Sequence, residues 1–228
     1  MNLAIILSGG TGSRMNPELP KQFLEIAGRE IIARTIAAFE EHAAFDRIVI
    51  VSNPDYIDRT EALIRKEGFR KVDSVLPGGK TRQESSRIGV QAAISKETHV
   101  LIHDAARPFV SKELIDRILD GLKKCPAVLP AIPSADTVVE MNEANIVSAI
   151  PKRDRIQRVQ TPQAFEKELI SRSHDHALRE GFTAATDDCS LVFRYQLAEV
   201  LVVPGSLDNM KITYPSDLRL AETILERK

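Results

Sequence analysis

The chain has 228 residues, 43% hydrophobic and 28% charged, and its 31 basic and 32 acidic side chains leave a formal net charge of −1. That length suits one large domain that buries about 70% of its unfolded surface without disulfides or structural metal. The charge balance excludes the broad basic face that nucleic-acid binding needs. Two distant cysteines, Cys125 and Cys189, exclude a disulfide scaffold and a thiolate zinc site.

The chain opens on Asn2-Leu3-Ala4-Ile5-Ile6-Leu7-Ser8, an apolar run broken at Gly9-Gly10. It is too short for a secretory h-region or a membrane span, so the expectation is a cytoplasmic protein with no membrane partner. Compact runs rich in Val, Ile and Leu recur at Leu3–Leu7, Ile48–Val51, Val72–Leu76, His99–His103 and Val128–Ile132. They predict buried strands of a parallel sheet. Helical stripes fall between them: Ile32, Thr35, Ile36 and Phe39, then Ile115, Ile118, Leu119 and Leu122 behind Ser111 as N-cap. The alternation predicts an α/β sandwich.

From Ser134 to Gln163 the helical stripe is lost. Thr137-Val138-Val139 and Ile146–Ile150 predict short strands flanking a turn at Asn142–Asn145. Helical patterning returns at Glu166–Arg179 and Asp187–Arg194, followed by a strand at Glu199–Val203 and a helix over Ser216–Glu226. The expectation is one domain over 1–228 with a β-arm at 134–163. Such an arm has no core of its own and needs another surface, for which a partner subunit is the natural candidate.

Ser8-Gly9-Gly10-Thr11-Gly12-Ser13-Arg14-Met15 follows the first strand directly, where open α/β sheets bind ligands. Its glycines let backbone N–H groups turn toward an anion, and Arg14 and Lys21 add a forked and a point cation. An ordinary strand-to-helix turn is the alternative. A dinucleotide fingerprint fails because Met15 stands where its third glycine belongs and Ser52-Asn53 replaces the ribose carboxylate. A Walker loop fails because Ser74 stands where the glycine before Gly79-Lys80-Thr81 belongs.

Five further clusters sit at strand ends or in the arm: Gly78-Gly79-Lys80-Thr81-Arg82-Gln83-Glu84-Ser85, His103-Asp104-Ala105-Ala106-Arg107-Pro108, Asp136-Thr137, Gln160-Thr161-Pro162-Gln163 and Asp208-Asn209-Met210-Lys211. With the glycine loop and Pro20-Lys21-Gln22, this ordered set resembles the 2-C-methyl-D-erythritol 4-phosphate cytidylyltransferases from Leu3 to Glu222. The ribitol-5-phosphate cytidylyltransferases share most of these motifs. The second alanine of His-Asp-Ala-Ala-Arg-Pro resembles the erythritol family, whereas Gly9-Gly10 resembles the ribitol family.

The resemblance implies a Rossmann-like, mostly parallel sheet flanked by helices, of the GT-A-like nucleotidyltransferase type, with a protruding β-arm for dimerisation. It implies transfer of CMP from CTP to 2-C-methyl-D-erythritol 4-phosphate with release of pyrophosphate, or transfer to ribitol 5-phosphate. Mg²⁺ is the implied cofactor, and a homodimer whose active site is completed in trans is the implied assembly. The implied catalytic cations are Arg14, Lys21 and Lys211. CTP contacts fall to Ser8, Gly9, Gly10, Thr11, Gly12, Ser13, Gly79, Lys80, Arg82, Ser85, Asp104 and Ala105. Arg107, Thr137, Arg153 and Thr161 match acceptor-binding positions, Arg153 and Thr161 as a pair from the neighbouring subunit. Asp104 and Asp208 match positions near the metal. For Ser85 a locally capped place on a buried helix face stands equally open, and for Asp104 a helix cap or a salt bridge to Arg107 remains. The five histidines read as incidental, and Asp187-Asp188 as a helix-start cap.

Overall fold

Strand β1 (Asn2–Ser8) is buried along nearly its whole length, as a strand covered by helices on both faces must be. It is followed by the small hairpin β2 (Glu25–Ile26) and β3 (Arg29–Glu30), α1 (Ile31–Glu40), β4 (Phe45–Ser52), α2 (Ile57–Glu67), β5 (Val72–Pro77) and α3 (Arg82–Gln91). Then come β6 (His99–Asp104), α4 (Lys112–Leu122), β7 (Ala127–Pro133), the arm strands β8 (Glu140–Met141) and β9 (Val147–Ala149), β10 (Gln157–Val159), β11 (Gln163–Glu166), α5 (Lys167–Glu180), α6 (Cys189–Arg194), β12 (Leu201–Pro204) and α7 (Pro215–Glu226). This computed structural model describes residues 1–10 and 19–227.

The main sheet has the order β10-β7-β11-β6-β1-β4-β5, with β12 also on β7. The pairs β1–β4, β1–β6, β4–β5 and β7–β12 are parallel. Strand β11 inserts antiparallel between β6 and β7, and β10 is antiparallel to β7. The five strands expected from the apolar runs are all present. Strands β10 and β11 were not anticipated, because three or four residues carry too little pattern to show alternation.

Successive residues of β1 face opposite layers. Ile6 packs with Ile36, Phe39, Ile48, Leu114 and Ile118 on one side. Ile5 packs with Val51, Val90, Phe165, Ile170 and Val192 on the other. Helix α3 sits close on the sheet because residue 89 is glycine: a Cβ there would lie 2.4 Å from Ile5 Cγ2. Ser111 caps α4 as its sequence predicts, accepting from Leu114 N–H at 3.2 Å. Ile115, Ile118 and Leu122 face the core, while Leu119 is only partly buried.

The arm differs from expectation in register. Its hairpin pairs Glu140 with Ala149 and Met141 with Val147, so Thr137-Val138-Val139 lies outside the ladder. The turn is responsible. Asn142 Oδ1 accepts from Ala144 N–H and Ile146 N–H, and Asn145 takes a positive φ of 59°, which draws the pairing tight around Asn142. Val138, Val139, Met141, Ile146, Val147 and Ile150 are all exposed. Among the described residues no helix is long and apolar enough to cross a membrane.

Candidate active site

A cleft of about 430 Å³ opens at the carboxyl ends of β1, β5 and β6, with Lys21 and Lys211 on its walls. Ser8, Gly9, Gly10, Lys21, Gly79, Lys80, Arg82, Ser85, Asp104, Ala105 and Lys211 all line it. Thr11, Gly12, Ser13 and Arg14 lie outside the described residues. Gln22 was not assigned a role by sequence, although it closes the Pro20-Lys21-Gln22 motif. Its buried amide donates to Ser8 O and Gly10 O, each at 3.0 Å, and so fixes where the glycine loop leaves the sheet.

The β5–α3 turn is locked from within. Thr81 caps α3 by accepting from Glu84 N–H at 3.1 Å. Glu84 reaches back to Lys80 N–H at 2.8 Å. A Cβ on Gly79 would lie 2.2 Å from Glu84 Cγ, so this return is possible only with glycine there. Ser85 Oγ accepts from Gly79 N–H at 3.1 Å and donates to Thr81 O at 3.0 Å. Ser85 is therefore both a wall of the cleft and a local clasp.

Asp104 anchors the charges. Its Oδ1 accepts from Arg82 Nε at 3.2 Å and its Oδ2 from Lys211 Nζ at 2.7 Å. Burial alone would raise this carboxyl, but Arg82 and Lys211 outweigh it and hold it well below the usual carboxylate range. Burial likewise opposes the Arg82 charge, and Asp188 and Asp104 overcome it, so Arg82 holds its proton more firmly than usual. Asp104 makes its ion pairs with Arg82 and Lys211 rather than with Arg107. Arg107 instead donates to Asn209 O at 2.8 Å and braces the loop that carries Lys211.

Other expected site residues lie off the cleft lining. Asp208 is exposed and lies outside the cleft lining that holds Asp104. Among the described residues no group of three His, Cys, Asp or Glu side chains could hold a metal. Thr161 is buried, and its hydroxyl is committed to the interior: it accepts from Asp104 N–H at 3.1 Å and contacts His103 Nδ1 at 2.9 Å. Thr137 and Arg153 are both exposed, on the arm and its stem, and neither is on the cleft lining.

Two histidines that read as incidental are built into the support. His103 Nε2 pairs with Arg107 O at 3.0 Å, where it must donate, so Nδ1 accepts from Thr161. Burial dominates and pushes the imidazole down to about 4, which keeps it neutral. His103 and Asp104 face opposite sides of β6, as strand alternation predicts. His174 lies against Ser86 Oγ at 3.3 Å. In the Asp187-Asp188 pair only Asp187 caps α6, accepting from Ser190 N–H at 2.9 Å. Asp188 turns inward to Arg82 Nη1 at 2.8 Å.

A glycine-walled cleft at the ends of parallel strands, with lysines on both flanks, suits a polyphosphate chain and a transfer step that relies on positioned cations. That is the site of an α/β nucleotidyltransferase. The chain belongs to the 2-C-methyl-D-erythritol 4-phosphate cytidylyltransferase (IspD) family, whose model matches residues 2–227. It is 40% identical to the enzyme of that name from Thermobifida fusca, over 97% of this chain and 92% of the relative. It is 38% identical to the bifunctional ribulose 5-phosphate reductase/CDP-ribitol pyrophosphorylase Bcs1 of Haemophilus influenzae, over 100% of this chain and 48% of the relative. The fold is similar to the crystal structure of 4-diphosphocytidyl-2C-methyl-D-erythritol synthase from Anaerococcus prevotii, with a TM-score of 0.86, 32% identity and coverage of 99% and 98% of the two chains.

Proposed function

We propose that this protein transfers CMP from CTP to 2-C-methyl-D-erythritol 4-phosphate, in the cytoplasm, as a step of isoprenoid precursor synthesis. A phosphate oxygen of the acceptor attacks the α-phosphorus of CTP. The bond from that phosphorus to the bridging oxygen breaks, and the β- and γ-phosphates leave as pyrophosphate. The new bond is a pyrophosphate linkage between CMP and the acceptor phosphate, and no covalent enzyme intermediate is needed. The observation that carries this reading is the cleft itself, with Lys21 and Lys211 facing its glycine walls and the Asp104–Arg82 pair on its floor.

The protein's task is to bring together two anions that repel. Backbone N–H groups of the glycine loop take the triphosphate, and Lys21, Lys211 and Arg14 supply charge to the reacting phosphates. Losing one such preorganised donor typically slows a reaction by about 10²–10³. Lys211 Nζ reaches both the cleft and Asp104, so it can share its protons with an incoming phosphate without leaving its anchor. Mg²⁺ belongs to this reading as part of the nucleotide substrate. Among the described residues lining the cleft, Asp104, already held by two cations, is the carboxylate that could meet it, beside the phosphate oxygens of the nucleotide.

The acceptor needs positive groups that one chain's cleft does not complete. Arg153 and Thr137 lie with an exposed apolar arm, which supports a homodimer in which Arg153 of the partner subunit reaches the acceptor phosphate. The test is pyrophosphate release with CTP, Mg²⁺ and either 2-C-methyl-D-erythritol 4-phosphate or D-ribitol 5-phosphate. Turnover with the branched erythritol phosphate is expected. Turnover with ribitol phosphate alone would overturn the acceptor assignment and make Gly9-Gly10 the better guide.

A further inference from the structure

Behind the cleft the ion pairs continue into the interior. Asp188 is 1% exposed, and its Oδ2 accepts from Arg82 Nη1 at 2.8 Å. Its Oδ1 accepts a short hydrogen bond from the Ser86 hydroxyl, one turn beyond Arg82 on α3. With its proton committed to Asp188, Ser86 Oγ can only accept from His174 Nε2 at 3.3 Å. The backbone is held as firmly: Gln163 Oε1, on β11, accepts from Asp188 N–H at 3.0 Å and Cys189 N–H at 2.9 Å. Asp188 is thus fixed by α3 and β11 at once, with His174 of α5 behind Ser86, while lying outside the cleft lining. Asp104, Asp188, Arg82 and Lys211 together sum to zero charge.

We propose that Asp188 is a positioning residue for cytidylyl transfer: it holds Nη1 of the Arg82 fork, restricts Arg82 to a single contact from Nε to Asp104 Oδ1, and so leaves Asp104 Oδ2 to Lys211. Asp188 holds Nη1, and Nη2, on the Nε side of the fork, is buried without a partner among the described residues. Without the Asp188 charge, Arg82 is free to turn its Nε–Nη2 edge onto both Asp104 oxygens, and Lys211 loses its fixed anchor. The effect on turnover rests on the proposed function; the geometry of the fork does not.

The two opposing consequences of Asp188→Asn give the test. Removing a buried negative charge near an anion site favours nucleotide binding, whereas loosening Lys211 slows transfer. The expected result is a CTP Kd within about threefold of wild type or tighter, with kcat down about 10–100-fold, the range typical of outer-shell partners. Arg82→Gln combined with Asp188→Asn should be no slower than Arg82→Gln alone, because Asp188 acts through Arg82. A general structural defect would instead weaken CTP binding along with kcat and add to the Arg82→Gln loss.

The fork is read without turnover by NMR of the Arg82 Nε–H signal, assigned by its disappearance in Arg82→Gln. Its hydrogen exchange should become at least about tenfold faster in Asp188→Asn. If Asp188→Asn does not fold, Ser86→Ala removes the hydroxyl from the other carboxylate oxygen and is judged by the same criteria. Unchanged kcat and unchanged Arg82 exchange would overturn the inference. Wild-type protein inactive with CTP and every acceptor would overturn the proposed function, and Arg82 exchange would still decide the role of Asp188.

Discussion

Thr161→Val keeps the shape of a buried side chain and removes only its hydroxyl. Two groups lose their partner: Asp104 N–H, which donates to it at 3.1 Å, and His103 Nδ1, which accepts from it at 2.9 Å. His103 cannot compensate by changing tautomer, because its Nε2–H is held by Arg107 O at 3.0 Å. Each stranded group costs about 1–3 kcal/mol, so the expected loss is about 2–6 kcal/mol. Against a typical total stability of about 5–15 kcal/mol this is a large fraction. Equilibrium urea unfolding should show a lower midpoint with an unchanged slope. Thr161→Ser keeps the hydroxyl and removes one methyl group, costing about 1 kcal/mol. A valine variant within about 0.5 kcal/mol of wild type, where surface changes fall, would refute the reasoning, as would a serine variant equally damaged. CTP affinity should fall with the valine variant too, since Asp104 N–H sits directly behind the carboxylate that holds Lys211.

Stability should also fall in mild acid. His103 is neutral and buried at about 4 in the folded chain against 6.5 ordinarily, so the unfolded chain binds its proton first as pH drops. Its contribution is complete above about pH 6.5 and is lost as pH falls toward 4, by about 3 kcal/mol in all; a flat unfolding profile over that window would contradict the assignment. Ile146→Asp with Ile150→Asp should turn a dimer into a monomer by sedimentation while leaving the fold intact, because both side chains are exposed on one chain. Arg153→Ala should raise the acceptor KM far more than the CTP KM, and equal effects would sink its placement at the acceptor. Gly79→Ala should weaken CTP binding by about 5–30-fold in a calorimetric titration, since Glu84 must vacate its place and free Lys80 N–H, losing an interaction of about 1–2 kcal/mol.

The buried strands were legible because each is a compact run of branched apolar residues, and Ser111 was legible because a cap precedes its helix at fixed spacing. The cleft residues were legible from motif order. What escaped was set by contacts distant in sequence. Helix α2 buries only Thr60 and Leu63, too thin a stripe to see. Thr161 reads as a site residue beside Arg153, yet its register next to β6 turns the hydroxyl to Asp104 and His103. Asp188 reads as a cap because it precedes a helix, and only the packing of α3 against α5 and α6 shows that its partner is Arg82, 106 residues away. Asp208 follows its motif in sequence but faces outward, while the neighbouring Asn209 turns in to donate to Thr161 O at 2.8 Å.

The stem of the arm has a consequence for anyone who would redesign this protein. Gln160, where the arm rejoins the body, donates to Ser206 O at 2.8 Å and accepts from Ser206 N–H at 3.2 Å. Asn209, three residues further on, is tied to Thr161. A residue at 205 larger than glycine would collide with Gln160, its Cβ lying 2.5 Å from Oε1. The hinge of the arm and the loop bearing Lys211 are therefore one mechanical part. Changes made there to tune assembly will be read as changes in rate, and the arm can be regrafted between relatives only if Ser206–Lys211 travels with it.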